Sequence, residues 1–251
     1  MDIELINRFK EREVKAKDIF EIKSIDKNSA KDIIANYHYL GKKAFMFTVA
    51  YGLYEKGKEE LLGCAVFGVV GGSLALRSHF GVDNSHSNEY LGLTRLVMHP
   101  NLNGCNATSF LLGNSIKSIK RDFKDIKAIV SLSDNTLHNG AIYQSTNFKY
   151  YGLTNKKTDF VQEGADRIGA RCGSTRDKHG VWLPRSRKHI YIYIIDKSTA
   201  VCHDELPYPK GNDMNERLDC CGGKGVVYDK RYGEWFTCPK CIGRCDRVDG
   251  E

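Results

Sequence analysis

Two periods of hydrophobic spacing alternate along this chain, and where each prevails predicts an element. Residues 5–35 carry Phe9, Ile19, Phe20, Ile22, Ile33 and Ile34 among many charges, which predicts one or two helices. Phe45 to Tyr54 is rich in aromatic and β-branched residues and reads as a strand; after a Lys56-Gly57-Lys58 turn, Leu61 to Val70 reads as its hairpin partner. Gly71-Gly72-Ser73 ends that strand, and Leu91 to Met98 forms a third. Thr108 to Lys120 returns to helical spacing, Ile126 to Leu132 is a further strand, and Asn139 to Thr146 a short helix. Tyr150 to Leu153 and His189 to Ile195 complete the strands. Strands dominate early and alternate with helices later, which predicts an α/β (α+β) fold with one mixed β-sheet flanked by helices. From Cys202 to Met214 the chain turns polar, with Pro207, Pro209 and Gly211. This predicts a folded domain over 1–200, a linker over 201–214 and a small module over 215–251.

Composition narrows the classes. A chain of 251 residues with a formal charge of +7 can bury a sizeable core, and it tolerates a polyanionic partner without requiring one. No run of 18 apolar residues offers a membrane span, and Met1-Asp2-Ile3-Glu4 lacks the basic-then-apolar order of a signal peptide. The nine cysteines are unevenly placed: Cys64, Cys105, Cys172 and Cys202 are scattered, and Cys220, Cys221, Cys238, Cys241 and Cys245 crowd the end. An odd count so distributed points to a reducing cytoplasm and a metal site rather than a disulfide framework.

The most informative stretch runs from Met98 to Leu112, where a strand enters a loop with Pro100 and Gly104 that opens onto a helix. Amides at such a helix start have no partner within the helix and carry the positive end of its dipole, so they suit a phosphate. A capped helix following a strand is the plainer reading of the same residues. The segment resembles the cofactor loop of the GNAT superfamily of N-acetyltransferases, V-x-P-x-x-(R/Q)-G-x-G-x-(G/A). Pro100 falls on the proline and Gly104 on the first glycine, while Met98, Asn103, Asn106 and Thr108 depart from the pattern. That resemblance implies a GNAT-like fold and an acetyl-coenzyme A pyrophosphate held by Met98, Asn103, Gly104, Cys105, Asn106, Ala107, Thr108 and Ser109. It also implies that Tyr143, in a Y-x-x-x-N-F version of the family's Y-x-x-x-G-F, protonates the departing thiolate.

Three further segments resemble the Mom family of phage DNA-modification proteins: Asn36 to Gly41 (NYHYLG), Leu93 to Pro100 (LTRLVMHP), and Ser131 to Asp134 (SLSD) leading toward Ala141 to Gln144. The resemblance implies a transferase that places a carbamoylmethyl group on the N6 amine of adenine in double-stranded DNA, shielding phage DNA from restriction in the host cytoplasm. Such a base must leave the stack to be reached. Asp134 then accepts a proton or hydrogen-bonds N6, or else caps the next helix. His38 and Tyr39 stack on the base or shuttle protons, or else pack. Arg95 holds a phosphate or a developing oxyanion, or else pairs with a structural carboxylate such as Glu89. Basic clusters at Lys42-Lys43, Lys156-Lys157, Arg167 to Lys178 and Arg185 to His189 suit phosphates. An N-acetyltransferase of a protein or small amine, and a non-catalytic nucleic-acid-binding protein, are the rival readings.

At the end, Cys220-Cys221-Gly222-Gly223 and Cys238-Pro239-Lys240-Cys241, with Cys245, flank a hairpin-like segment, Val226 to Tyr228 and Glu234 to Phe236. The pieces are similar to the zinc modules of DnaJ-type chaperones. Four thiolates would supply the folding free energy that so short a segment lacks, with Cys220, Cys245 and His203 as alternatives for the fourth ligand.

Overall fold

The computed structural model describes residues 3–11, 13–38, 41, 44–71, 73–103, 105–135, 137–162, 167–168, 180–210, 226–229 and 234–237. The N-terminal stretch expected to be wholly helical contains a strand. After α1 (Ile3–Lys10) and α2 (Ala16–Ile19) comes β1 (Phe20–Ile25), before α3 (Lys27–Tyr37). Its FEIKSI pattern is too short to outweigh the helical spacing around it, and pairing with β2 (Val49–Glu55) decides the matter. Asp26 separates β1 from α3 by accepting the amides of Asn28 and Ser29 at 2.7 and 3.0 Å. β2 begins later than the aromatic run suggests, because Phe45 and Phe47 pack on the core instead of entering the ladder.

β3 (Leu61–Val69), α4 (Ser73–Phe80) and β4 (Tyr90–Met98) follow, then α5 (Ala107–Asp122), β5 (Ala128–Asp134), α6 (Ala141–Gln144) and β6 (Lys149–Leu153). The strands β7 (Lys157–Gln162), β8 (Arg167–Ile168) and β9 (Gly180–Arg185) form a separate antiparallel sheet, ordered β8-β7-β9. Neither that sheet nor α4 was legible in the spacing. With β10 (Lys188–Ile194) the main sheet has seven strands, ordered β1-β2-β3-β4-β5-β10-β6. Helices flank this mixed sheet, as the sequence predicts.

One face of the sheet buries Leu91, Leu93, Leu111, Leu112, Ile116 and Ile119 through α5. The other buries Ile33, Ile34, Val66 and Val97 through α3. Burying each such side chain contributes about 1.5–3 kcal/mol. A bulge in β4 makes both faces possible. Val66 pairs with Arg95 and Phe67 with Leu93, so Thr94 is the extra residue. The alternation therefore slips by one: Leu91 and Leu93 serve the α5 face, and so do Leu96 and Met98. The Thr94 hydroxyl lies 2.9 Å from the Met46 carbonyl and 3.1 Å from that of Val66, in reach of both acceptors.

The chain forms two compact units: Met1–Leu132, Gly140–Tyr151 and Tyr191–Tyr208, and Ser133–Asn139, Gly152–Ile190 and Pro209–Glu251. Part of the segment read as a linker is docked within the first unit. The Cys202 amide donates to the His79 carbonyl at 2.8 Å, Leu206 bridges Tyr150, and the Tyr208 hydroxyl donates to Phe148. Near the C-terminus, β11 (Val226–Asp229) and β12 (Glu234–Thr237) form the expected hairpin, Val226 opposite Thr237.

Candidate active site

β4 and β5 run parallel but are laddered only through Tyr90, Leu91 and Gly92 against Ala128, Ile129 and Val130. From Leu93 on, β4 pairs with β3 alone among the described residues. In open α/β sheets the carboxyl ends of the strands are where ligands bind. The β4–α5 loop leaves from that end.

The loop begins with an anchor at His99. Its amide donates to the Leu62 carbonyl at 2.7 Å, and its Nδ1 accepts the Asn101 amide at 3.2 Å. A single 3-10 turn, Pro100–Leu102, closes with Leu102 buried. Asn103 and Asn106 sit at φ −66° and −84°, so neither needs the left-handed region. Cys105 points its thiol at the Leu102 carbonyl, 2.9 Å away. Asn106 starts α5 without a side-chain capping bond, and no acidic residue stands in the first turn. The opening amides of α5 thus keep their positive field available to an anion. Ala107 is fully buried, Thr108 and Ser109 are half-buried, and Met98 lies across Gly63 on the core. Gly104 lies outside the described residues.

Tyr143 is fixed from its own helix. The Phe148 amide donates to the Tyr143 carbonyl at 3.0 Å and the Asn147 amide to that of Gln144 at 3.3 Å. Asn147 takes φ +65°, alone among the described non-glycine residues. These are the two bonds of a Schellman stop, whose apolar contact is here Tyr143 against Phe148, ring centroids 5.5 Å apart. The Y-x-x-x-N-F spacing thus has a structural cause: it ends α6 and clamps the tyrosine, 6 % exposed, which also meets Tyr191 at 5.1 Å. The Ser145 and Ser109 hydroxyls, 3.0 Å apart, tie α6 to the first turn of α5.

His38 ends α3, its carbonyl accepting the Gly41 amide at 2.7 Å; Tyr39 is outside the described residues. Tyr37, one residue earlier, meets the His99 ring at 4.9 Å, which brings this segment to the end of β4. Arg95 does not pair with Glu89, which is held by Lys127 and His86. Its guanidinium donates to the Ala44 and Thr94 carbonyls and covers the Phe45 ring at 5.6 Å. Between α3 and Phe45 lies a cavity of about 500 Å³, with Lys27, Lys31 and Asp32 at its polar side and Ile34 and Phe45 at its apolar side.

Asp134 belongs to the second unit. Its carboxylate accepts the Ser186 hydroxyl at 2.8 Å and lies 3.7 Å from the Lys188 ammonium. Its carbonyl accepts the amides of Leu137 and His138 at 2.9 and 3.0 Å. His138 went unnoticed in the sequence, although it follows Asp134 closely in a strand-to-helix connection, the kind of place that carries polar chemistry. Much of the basic run Arg185 to His189 is consumed inside this unit: Arg187 donates to the Thr154 carbonyl at 2.8 Å, Lys188 faces Asp134, and His189 is buried. His203, one alternative zinc ligand, has its Nε2 3.0 Å from Nδ1 of His79. The five C-terminal cysteines lie outside the described residues, and among the described ones no group of three ligating side chains could hold a metal. Nor is any described helix long and apolar enough to cross a membrane.

The sequence model of the Mom protein family matches residues 19–210. Solved structures similar to this chain include a GNAT family acetyltransferase from Elizabethkingia anophelis with acetyl-CoA bound, at 13 % identity and TM-score 0.41, covering 71 % of this chain and 99 % of that one. The ribosomal-protein-S18-alanine N-acetyltransferase from Escherichia coli matches at 13 % identity and TM-score 0.44, covering 72 % and 96 %. Arabidopsis thaliana NAA60 in complex with acetyl-CoA matches at 11 % and 0.46, covering 70 % and 99 %. A search of the curated proteins finds no match.

Proposed function

The chain belongs to the Mom protein family, and from that premise we propose that it is a transferase carrying a group from acyl-coenzyme A to the N6 amine of adenine in double-stranded DNA. The observation that carries this reading is the open start of α5, uncapped and free of acidic residues, at the end of β4. The amides of Ala107 and its neighbours and the hydroxyls of Thr108 and Ser109 would hold the pyrophosphate. Bound there, an acyl-coenzyme A supplies an activated carbonyl carbon. In this reading Tyr143 gives a proton to the departing sulfur and Asp134 hydrogen-bonds the adenine amine. The Phe45 wall and the rim lysines Lys27 and Lys31 suit an unstacked nucleotide, by stacking and by phosphate attraction. For the C-terminal module the hairpin of β11 and β12, set in sequence between the cysteine knuckles, supports a zinc ribbon that assists DNA engagement.

Mass spectrometry of nucleosides from DNA of cells expressing the protein tests the reading. A modified deoxyadenosine that disappears in Tyr143→Phe and Asp134→Ala is the expected result. Unmodified DNA alongside good coenzyme A binding by calorimetry would move the acceptor to a protein or small amine. No binding at all would leave a non-catalytic nucleic-acid-binding protein.

A further inference from the structure

The sheet face that α5 covers carries a buried hydroxyl with no hydrogen-bond partner among the described residues, that of Ser131, 2 % exposed. Its place follows from register. β4 and β5 are laddered as far as Gly92 and Val130, so Ser131 is the first residue of β5 past that ladder. Ile129, two residues earlier, packs with Leu91, Leu93, Leu111 and Leu112, and alternation turns Ser131 to the same face. The neighbouring strand β10 agrees. The Ile195 amide donates to the Lys127 carbonyl at 2.8 Å, and the Asn135 amide to that of Arg187 at 3.1 Å. Counting four residues in from either bond sets Ser131 opposite Tyr191, on one face with it. The Tyr191 ring lies 5.1 Å from the ring of Tyr143, the tyrosine placed above at the departing sulfur. Ser131, Tyr191, Tyr143 and the start of α5 all belong to the first unit.

We propose that the Ser131 hydroxyl donates a hydrogen bond to the thioester carbonyl oxygen of the bound acyl-coenzyme A, and so distinguishes the acylated donor from free coenzyme A. This rests on the acyl-coenzyme A reading of the preceding subsection. A buried hydroxyl without a partner costs free energy that an alanine at the same position would not. Among apolar neighbours in the sheet, that cost marks a group kept for a ligand. Depth selects the part of the ligand. Ser131 lies three residues, about 10 Å, inside the carboxyl end of β5. The open amides of α5 follow the loop at the strand end. A donor whose pyrophosphate is fixed at those amides brings its far end, the thioester, inward along the strands. There Leu93, level with Ser131 on β4, and Ile129 supply apolar surroundings, in which a hydrogen bond to the carbonyl is stronger than in water.

Infrared difference spectra and calorimetry on the full chain test it, using acetyl-CoA labelled with carbon-13 at the thioester carbonyl and no acceptor. Binding to the wild type should move the labelled carbonyl stretch to lower frequency, and Ser131→Ala should return it to the position of the free thioester. Ser131→Ala should also weaken acetyl-CoA binding by about 3- to 10-fold. Binding of coenzyme A, which has no acyl group on sulfur, should stay unchanged. Without ligand, the urea midpoint of Ser131→Ala should match or exceed that of the wild type, because no bond within the fold is lost. An unshifted stretch in the wild type overturns the proposal, as does an equal change in the two affinities. So does a lower midpoint with both affinities intact, which would make the role of the hydroxyl structural. A wild type that binds neither ligand removes the acyl-coenzyme A reading, and the Ser131 proposal falls with it. A wild type that binds both, matched in both by Ser131→Ala, removes the Ser131 proposal alone.

Discussion

Gly140 stands directly before α6, and replacing it with alanine tests how Tyr143 is held. Its backbone is left-handed, φ +77° and ψ 29°. For an L-residue that region costs about 1–2 kcal/mol. A Cβ there would also lie 2.4 and 2.8 Å from two atoms of the Tyr191 ring and 3.0 Å from the Tyr143 ring. Both rings are buried, at 0 % and 6 % exposure, so neither can swing into solvent. Overpacking of this kind costs about 1–3 kcal/mol. Gly140→Ala should therefore destabilise by about 2–5 kcal/mol, against a typical total of 5–15. Gly57 supplies the control, with φ +76° and nothing within 4 Å of its would-be Cβ. Gly57→Ala should show the backbone cost alone, about 1–2 kcal/mol. Urea unfolding followed by far-ultraviolet circular dichroism gives both values, provided the slopes against denaturant match the wild type. Equal midpoints for the two variants would refute the reasoning, since the ring collision would then cost nothing.

His79 predicts acid sensitivity. Burial, and secondarily His203, push its pKa from 6.5 down to about 4. The unfolded chain binds this proton more readily, so the contribution is complete above pH 6.5 and is lost as pH falls toward 4, about 3 kcal/mol in all. His79→Phe should flatten the urea midpoint across that window relative to wild type; an unchanged slope would show that other groups set it. Asp26→Ala removes an N-cap that accepts two amides and should cost about 1 kcal/mol by the same unfolding assay; no change would mean that α3 does not depend on its cap. Burial lifts the Cys64 thiol to about 12, so it should resist thiol reagents until the chain unfolds, while half-buried Cys105 reacts in the native state. Coenzyme A protection of Cys105 would place the cofactor beside it. Elemental analysis should find one zinc per chain, lost with Cys238→Ser.

What could be read from the sequence was whatever depends on neighbours along the chain. The spacing of Leu91 to Met98, the loop through Pro100 and the helix leucines at Leu111 and Leu112 announced β4, the turn and α5, because a strand, a turn and an amphipathic helix each leave a local period. That Asn147 stands where the family pattern has a glycine was legible, but its left-handed backbone at φ +65° was seen only in the structure. The strand β1 was not legible, since only its pairing with β2 holds it extended. Nor was the outcome at Arg95, whose guanidinium is used by carbonyls remote or adjacent in the chain. Patterning and turn chemistry fix elements because they act over a few residues. The direction of a side chain, and the proton it carries, depend on partners that only folding brings within hydrogen-bond distance.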